Sequence, residues 1–525
     1  LTQVINDEQA ELHLCKQCAE EKGLGIPFGA LPSNFGAMVV AFLGAQLPGG
    51  GTRTVGSPKC EHCGITKDDF ERTGLLGCGE CYETFHEDLK FILRRIHGSN
   101  KHIGTRPPSL RAVKEHPDIE QLRQRLQEAV ANERFEEAAQ LRDLITDLEV
   151  QHRQQDTPKH EPEEVDLQTR TGVASTEAIA FLQEQLGSWL GGDGPESDIV
   201  ITSRVRLARN LRGACFPGAA SPEQREQVYA LVAKAIGRSE ALARGLHIRL
   251  DELSALDRRF LVERRLISPQ CAEHPEQAAV FADRAQSLAV MVNEEDHLRL
   301  QAIASGLQID QAWDAVSRLD DELGEELEYD FSEQFGYLTA CPTNTGTGMR
   351  VSIFVHLPGL TILEQVNETL KGFAGSEITV RGFHGEGSRV QGNIFQISNQ
   401  LTLGRAEKTI LKRVQDIAER LVALEREARR RALEEKGRRV RDLVDRATAL
   451  LRHAQLISSL ELVNLLSAVR LGSELGLLPP IPRNRLNELL VIAMPGHLQK
   501  RAGAKMEGED RDAFRAQLVR SYLSL

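Results

Sequence analysis

The chain reads as a multidomain protein. A small zinc-binding β module and an αα-hairpin come first, then an α+β domain with a largely antiparallel sheet, then a helical C-terminal domain. Three observations carry that reading. Six cysteines fall in CxxC pairs before residue 82, short apolar runs alternate with helical runs across residues 176–404, and the pattern beyond residue 405 is almost wholly helical. A length of 525 residues leaves room for three or four domains, each with its own core. Hydrophobic residues at 41% and charged residues at 27% are ordinary for a soluble globular protein. The net charge of −12 argues against general nucleic-acid binding, because no excess of Lys and Arg is present to displace counterions. No run approaches the roughly 18 apolar residues of a membrane span. Paired metal-type cysteines beside scattered single thiols fit a cytoplasmic protein.

Residues 1–105 are Gly-rich and hold every CxxC pair. Cys60 and Cys63, then Cys78 and Cys81 fourteen residues on, form a four-thiolate set of the kind that closes a tetrahedral Zn2+ site. Gly64, Gly77 and Gly79 ease the two tight turns. Four thiolates leave no position open for substrate, so the expected role is structural. Cys15 and Cys18 have no downstream partner pair: either a pair is missing upstream or these two thiols are free. The chain begins at Leu1 in a stretch that reads like the middle of a strand, which favours missing residues. Over 118–150, Leu122, Leu126, Ala129 and Val130, then Phe135, Ala138, Leu141, Leu144, Ile145 and Leu148, predict a helical hairpin turning near Asn132. Residues 151–171 are polar and predict a flexible linker, the clearest boundary in the chain.

In the α+β domain, 176–404, strands are expected over 198–202, 245–250, 287–293, 350–356, 377–383 and 392–398. Helices are expected over 176–190, 221–238, 298–328 and 360–373. Residues 405–525 are expected to be helical, with one long charged helix over 406–452.

Five arginines stand in short Gly-punctuated or acid-flanked segments of the α+β domain: Arg204, Arg206, Arg299, Arg350 and Arg381. Guanidinium groups stay charged and grip phosphate oxygens in forked pairs, so the cluster reads as a triphosphate cage. The adjacent pair Glu294-Glu295, and Cys341 beside a glycine-rich stretch, point to phosphoryl transfer rather than anion binding alone. Taken singly, each arginine could be a surface ion pair and the two glutamates a solvated pair. Their co-occurrence carries the assignment. Cys215 and Cys271 are expected to be plain thiols.

The segments Asn293-Glu-Glu-Asp-His-Leu-Arg299, Cys341-Pro-Thr-Asn-Thr-Gly-Thr-Gly348 and Gly392-Asn-Ile-Phe-Gln-Ile-Ser-Asn399 resemble those of the guanidino phosphotransferases, most closely the McsB-type protein-arginine kinases. Residues 1–150 resemble the McsA activator family through Cys15-Lys-Gln-Cys18, Gly77-Cys-Gly-Glu-Cys-Tyr82 and the UVR-like run 121–149. The resemblance implies that Thr202, Ser203, Arg204, Val205, Arg206, Arg299, Arg350, Val351, Ser352, Ile353, Phe354, Arg381, Gly382, Phe383, His384, Gly385 and Glu386 surround ATP, with Mg2+ carried on the nucleotide. Arg265 stands where relatives often have a nucleotide-contacting histidine, and an arginine there can still meet a phosphate. Transfer to a guanidinium needs a carboxylate to orient it and take a proton. Glu295, with Glu294 adjacent, is the candidate base; in an extended segment the two face opposite ways, so one of them would face the acceptor and the other would be structural, and the sequence leaves open which. Cys341 is expected to help as a thiolate, its pKa lowered by nearby arginines.

The Arg511-Asp512-Ala-Phe-Arg515-Ala516 segment resembles the phosphoarginine-sensing motif of the same branch, with simple helix-surface ion pairing as its alternative. The resemblance also implies protein substrates bearing arginine, a ClpC-type protease chaperone (ClpCP), a CtsR-type stress-response repressor and a homo-oligomer. Two other functions fit parts of the pattern: a small-metabolite phosphagen kinase, and a non-catalytic phosphoarginine-binding protease adaptor.

Overall fold

A computed structural model describes residues 2–5, 8–11, 58–111, 171–373, 377–382 and 391–523, together with the helical positions 126, 129 and 142. Cys15, Cys18, the segment 383–390, the linker and the rest of the 118–150 hairpin lie outside the described residues. Two short strands, β1 (Thr2–Ile5) and β2 (Glu8–Glu11), pair antiparallel at the start of the chain.

The α+β domain is built on one eight-stranded sheet in the order β11-β12-β10-β3-β7-β6-β5-β4. The strands are β3 (Val200–Arg209), β4 (Leu246–Arg249), β5 (Ala279–Ala282), β6 (Leu288–Val292), β7 (Leu298–Ser305), β10 (Met349–His356), β11 (Ile378–Gly382) and β12 (Ile394–Asn399). Every neighbouring pair is antiparallel. A minor ladder joins β8 (Phe331–Ser332) to β9 (Gly336–Tyr337).

Alternation along the central strands decides what each face does. Val205, Leu207, Val351 and Ile353 point into the main core, where helices Pro222–Ile236, Ile309–Glu326 and the first part of Glu407–His453 cover one face. On the other face, helices Thr171–Glu184 and Ala255–Glu263 cover the β4–β6 end through Leu182, Phe260, Val280 and Met291. Arg204, Arg206, Arg299 and Arg350 lie on that second face, whereas Arg209 at the end of β3 turns to the helix-covered one.

Three expectations need correction. Residues 298–305 form β7 rather than the start of a helix, because Leu298, Leu300 and Ala302 alternate inward with period two. The helix begins only at Ile309, after Gly306 turns the chain at φ +67°. β5 was not anticipated: its Ala-Val-Phe-Ala run is buried throughout and shows no alternation to reveal it. The helix expected over 360–373 is two helices, Pro358–Ile362 and Val366–Phe373, separated at Glu364 (φ +64°).

The 47-residue helix Glu407–His453 has one break, at Lys436 (φ −126°, ψ 28°), immediately before Gly437. Before the break, Ile410 to Ala428 pack beneath the sheet. Beyond it, Ala447 and Leu451 join the C-terminal core with Leu462, Val469, Leu489, Leu498 and Val519.

The zinc module, with helices Lys67–Thr73, Glu80–Thr84 and His86–His97, is no satellite. Its Phe70, Tyr82, Leu89 and Leu93 share one apolar cluster with Phe216, Phe335, Leu338, Ala340 and Leu403 of the α+β domain.

One buried ion pair ties the sheet to its covering helix. Arg209 on β3 donates to Asp320 at 2.7 Å, with the two side chains 2% and 7% exposed, and also to the carbonyls of Ala208 and Thr347. Its guanidinium lies 3.5 Å from the Tyr337 ring centroid. Asp320→Ala strands that charge, and urea unfolding is expected to show a loss of about 3–5 kcal/mol.

Candidate active site and metal centre

Cys60, Cys63, Cys78 and Cys81 bring their sulfurs within 4.8 Å of one another. The Cys60–Cys78, Cys63–Cys81 and Cys78–Cys81 Sγ separations are 3.6, 3.4 and 3.8 Å. A tetrahedral ion with Zn–S bonds near 2.3 Å places its sulfurs about 3.8 Å apart, so the four thiolates fit Zn2+ and would hold it as a closed structural site. Among the described residues this is the only such group.

Strand register assembles the arginines. Arg206 on β3 lies opposite Arg350 on β10 and Gln301 on β7, and Arg204 lies opposite Ser352. Arg299 on β7 lies opposite Ala208. Directly opposed residues of antiparallel strands share a face, so these side chains meet on one surface. Arg265, which follows helix Ala255–Glu263 at φ +64°, and Arg204 both approach the Phe354 ring, with guanidinium carbons 5.3 and 5.8 Å from its centroid. Arg381 stands opposite Gln396 on β12, which is itself opposite Phe354. The Arg350 guanidinium donates to Ser398 at 3.3 Å.

Like charges crowd one another on this surface. Burial, together with Arg265, Arg299 and Arg350, pulls the Arg204 guanidinium down to about 9. Burial, together with Arg204, Arg299 and Arg350, takes Arg206 well below its ordinary value, with Glu294 opposing. Burial takes Arg265 to about 10. The Nε atoms of Arg204 and Arg206 are buried without a hydrogen-bond partner. A polyphosphate would supply both counter-charge and the missing acceptors.

The acidic pair, expected in an extended segment, sits instead in the tight turn 293–297 that joins β6 to β7. Asn293 takes φ +58°, a conformation asparagine tolerates, and its amide donates to the carbonyls of Arg225 and Gln277. Glu294 is committed to Arg299 and Ser268. Burial opposes its charge, but Arg299, Ser268 and Arg206 hold its carboxyl below the ordinary value. Glu295 instead accepts from Asn344 Nδ2 at 3.3 Å, which turns it toward the Cys341 loop. Asp296 locks the two loops together by accepting from Ala340 N and Asn210 Nδ2, each at 2.7 Å. His297 accepts from Leu211 N at Nδ1 (3.0 Å), so its proton sits on Nε2 and is donated to Cys215 O at 2.9 Å. Burial lowers this histidine to about 4, so it orders the turn as a neutral ring.

Several expected site residues behave differently. Cys341 is buried beside Glu295 and Asp296, and burial together with Glu295 pushes its thiol up rather than down. It bonds Thr343 Oγ1 at 3.0 Å, and burial with the neighbouring carboxylates outweighs that bond. Val205, Val351 and Ile353 point into the core, and Ser203 is spent on Gly306 O and Gln308 N. Only their backbone could meet a nucleotide. Thr202 and Ser352 are buried side chains on the arginine face. Gly382 ends β11, and Phe383, His384, Gly385 and Glu386 lie beyond the described residues. Cys215 and Cys271 are buried thiols, both pushed up by burial.

In the C-terminal region Arg515 is fully buried and donates to Ala493 O (2.9 Å), Ile457 O (2.7 Å) and Asp512, so it brackets helix Gly508–Leu523 rather than decorating its surface. Ala516 is buried beside it, while Arg511 is half-buried with its Nε unpartnered.

Ser268, Asp296, Asn344 and Ser398 were not anticipated as site residues. Asp296, Asn344 and Ser398 lie inside the quoted motifs, which was the available signal. Arg206→Ala is expected to weaken ATP binding about tenfold or more, measured by titration calorimetry, while the melting temperature holds or rises as buried like-charge repulsion is relieved.

Family models match four stretches in sequence. These are the McsA central zinc-finger domain over 58–104, the UvrB/uvrC motif over 119–151, the ATP:guanido phosphotransferase C-terminal catalytic domain over 227–428, and the protein-arginine kinase McsB C-terminal domain over 437–525. The protein-arginine kinase of Halothermothrix orenii is 42% identical over 346 residues, 66% of this chain and 99% of its own. That of Pelotomaculum thermopropionicum is 45% identical over 335 residues, 63% and 94% of the two chains. A crystal structure of lombricine kinase aligns with a TM-score of 0.49 at 18% identity, covering 72% of this chain and 88% of that one. Near-complete coverage of relatives at this identity places the chain in the protein-arginine kinase family, with an McsA-type zinc finger and a UVR motif on the same polypeptide.

Proposed function

We propose that this chain transfers the γ-phosphoryl group of ATP to arginine side chains of proteins, and that its own zinc module activates the transfer. The observation that supports the transfer is the arginine surface of β3, β7 and β10 next to Glu295, the turn carboxylate that faces the Cys341 loop through Asn344. Phosphoryl transfer asks for charge neutralisation and in-line positioning more than covalent help. Arg204, Arg206, Arg265 and Arg350 bind the phosphates of an ATP that carries Mg2+, and Arg299, steadied by Glu294, supports the same charge.

Glu295 orients the acceptor guanidinium and takes its proton as the new N–P bond forms. The bond from the γ-phosphorus to the bridging oxygen breaks, and ADP leaves with that electron pair. Cys341, across from Glu295, orients the acceptor as a neutral thiol.

The helical C-terminal domain favours a protein acceptor over a small metabolite, because it carries the Arg511–Ala516 segment. The partnerless buried nitrogens on Arg511 and Arg515 suit a phosphoarginine effector there. Within the same reading, phosphoarginine marks proteins for a ClpCP-type protease and releases a CtsR-type repressor under stress in the cytoplasm, with the kinase working as a homo-oligomer.

Activation in cis rests on the shared apolar cluster between module and kinase. A tether of about twenty residues keeps such a partner at an effective concentration near the millimolar range.

Two measurements test this. Intact-mass analysis of a folded protein incubated with the enzyme, Mg2+ and ATP is expected to show acid-labile phosphoryl additions, at least about 100-fold fewer with Glu295→Gln. Equal phosphorylation of free arginine would instead support the small-metabolite reading, and no ATP turnover at all the adaptor. Deleting residues 1–150 is expected to lower protein phosphorylation while the remaining sheet stays folded, as read by circular dichroism. Unchanged activity would reject activation in cis.

A further inference from the structure

The zinc module does more than cover apolar surface: its polar side chains end on the loop that carries Cys341. Tyr82 OH donates to Thr339 O at 2.9 Å, lies 2.6 Å from Thr345 Oγ1 and accepts from Thr339 N at 3.3 Å. His97 takes the Thr402 N–H on Nδ1 at 3.4 Å, which leaves its proton on Nε2 to donate to Pro342 O at 3.0 Å. Leu76 N donates to Ala340 O at 2.8 Å. These contacts land on residues 339, 340, 342 and 345, on both sides of Cys341.

The loop's own bonds continue inward from the same residues. Thr339 Oγ1 donates to Cys341 O at 2.8 Å, and Ala340 N donates to Asp296. Asn344 reaches Glu295 from the far end of the loop. Tyr82, His97, Thr339 and Thr345 are all buried, so water cannot replace a lost partner without opening the interface.

We propose that Tyr82 and His97 are positioning residues for phosphoryl transfer: reaching across from the zinc module, they fix the loop that sets Cys341 and Asn344 against Glu295. The inference rests on the kinase reading above and assigns its acceptor side, not its nucleotide side, to the module. Neither residue touches substrate. Each acts by limiting how far the loop can wander, and misplacing a catalytic group by about 1 Å is enough to cost a large factor in rate.

The test uses the full-length chain with a folded arginine-bearing protein, Mg2+ and ATP. Tyr82→Phe keeps the ring in its apolar cluster and removes only the hydroxyl. His97→Gln keeps an N–H in place of Nε2, whereas His97→Met keeps bulk and loses the donor. Arg106→Ala breaks the exposed 2.7 Å ion pair to Glu333 between the same two units and serves as the control. Each variant is scored for kcat, KM for ATP, bound zinc, melting temperature and the rate at which iodoacetamide alkylates Cys341.

Tyr82→Phe and His97→Met are expected to lower kcat roughly tenfold with little change in the KM for ATP, and to speed alkylation of Cys341. His97→Gln should recover most of the rate, and Arg106→Ala should match wild type. The inference is overturned if kcat is unchanged in Tyr82→Phe and His97→Met, if Gln and Met at residue 97 behave alike, or if kcat falls only in step with zinc loss and melting temperature. A wild-type chain that transfers no phosphoryl group would instead bring down the kinase reading beneath it.

Discussion

Positive charge held out of water on one face of a sheet is the constraint around which this protein is organised. Arg204, Arg206 and Arg265 are all disfavoured as cations by their own burial, and neighbouring guanidiniums add to the penalty on Arg204 and Arg206. The sheet tolerates this because β3, β7 and β10 sit centrally in an eight-stranded ladder whose opposite face is a continuous apolar core. Rigid strands hold like charges together in a way that a loop would relax. Arg299 is locally neutralised by Glu294, and that pair anchors the turn that presents Glu295. Stability is thus conceded where charge must later be gathered, a common signature of functional sites.

The second organising fact is how the acidic turn and the Cys341 loop are joined. Asp296 receives Ala340 N from one loop and Asn210 Nδ2 from β3's end, so the carboxylate and thiol elements move as one piece. Burial lifts Asp296 to about 6, against the hydrogen bonds that favour its ionised form. The zinc module closes the outside of that piece: Gly77 O accepts from Phe216 N at 2.7 Å, and the Phe216 ring meets His297 edge-on. Both reactive loops therefore have one neighbour in common. Among the described residues no helix is long and apolar enough to cross a membrane.

How much of this was legible in the sequence varies with the range over which each feature is determined. The four-cysteine set is local in sequence, and its spacing alone announced it; the acidic pair was legible as a motif, but the turn that carries it was read as extended chain. The α+β class with its antiparallel sheet was legible from alternating short runs, and so was the long terminal helix. The inward aim of Val205, Val351 and Ile353 was legible too, in the polar–apolar alternation of β3 and β10, but treating each motif as a contiguous binding segment hid it. β7 was missed because its eight residues run into a true helix across a single glycine.

Other features had no local signal at all. The protonation of Cys341 depends on which charges the fold brings near it. Tyr82 meets partners 257 and 263 positions away, and His97 meets Pro342 across 245. No periodicity encodes such a contact.

The break at Lys436 has a mechanical consequence. From there to His453 the helix extends about 25 Å at 1.5 Å per residue. A change of bend of about 10° at the break would swing its far end by roughly 4 Å, enough to slide side chains out of register with the bundle it enters. The segment before the break is bolted beneath the catalytic sheet, with Lys436 Nζ itself tied to Ile362 O at 2.8 Å. A long stiff arm on one short joint would convert small rotations into large strokes, and this one runs from the half that carries the sheet to the half that ends the chain.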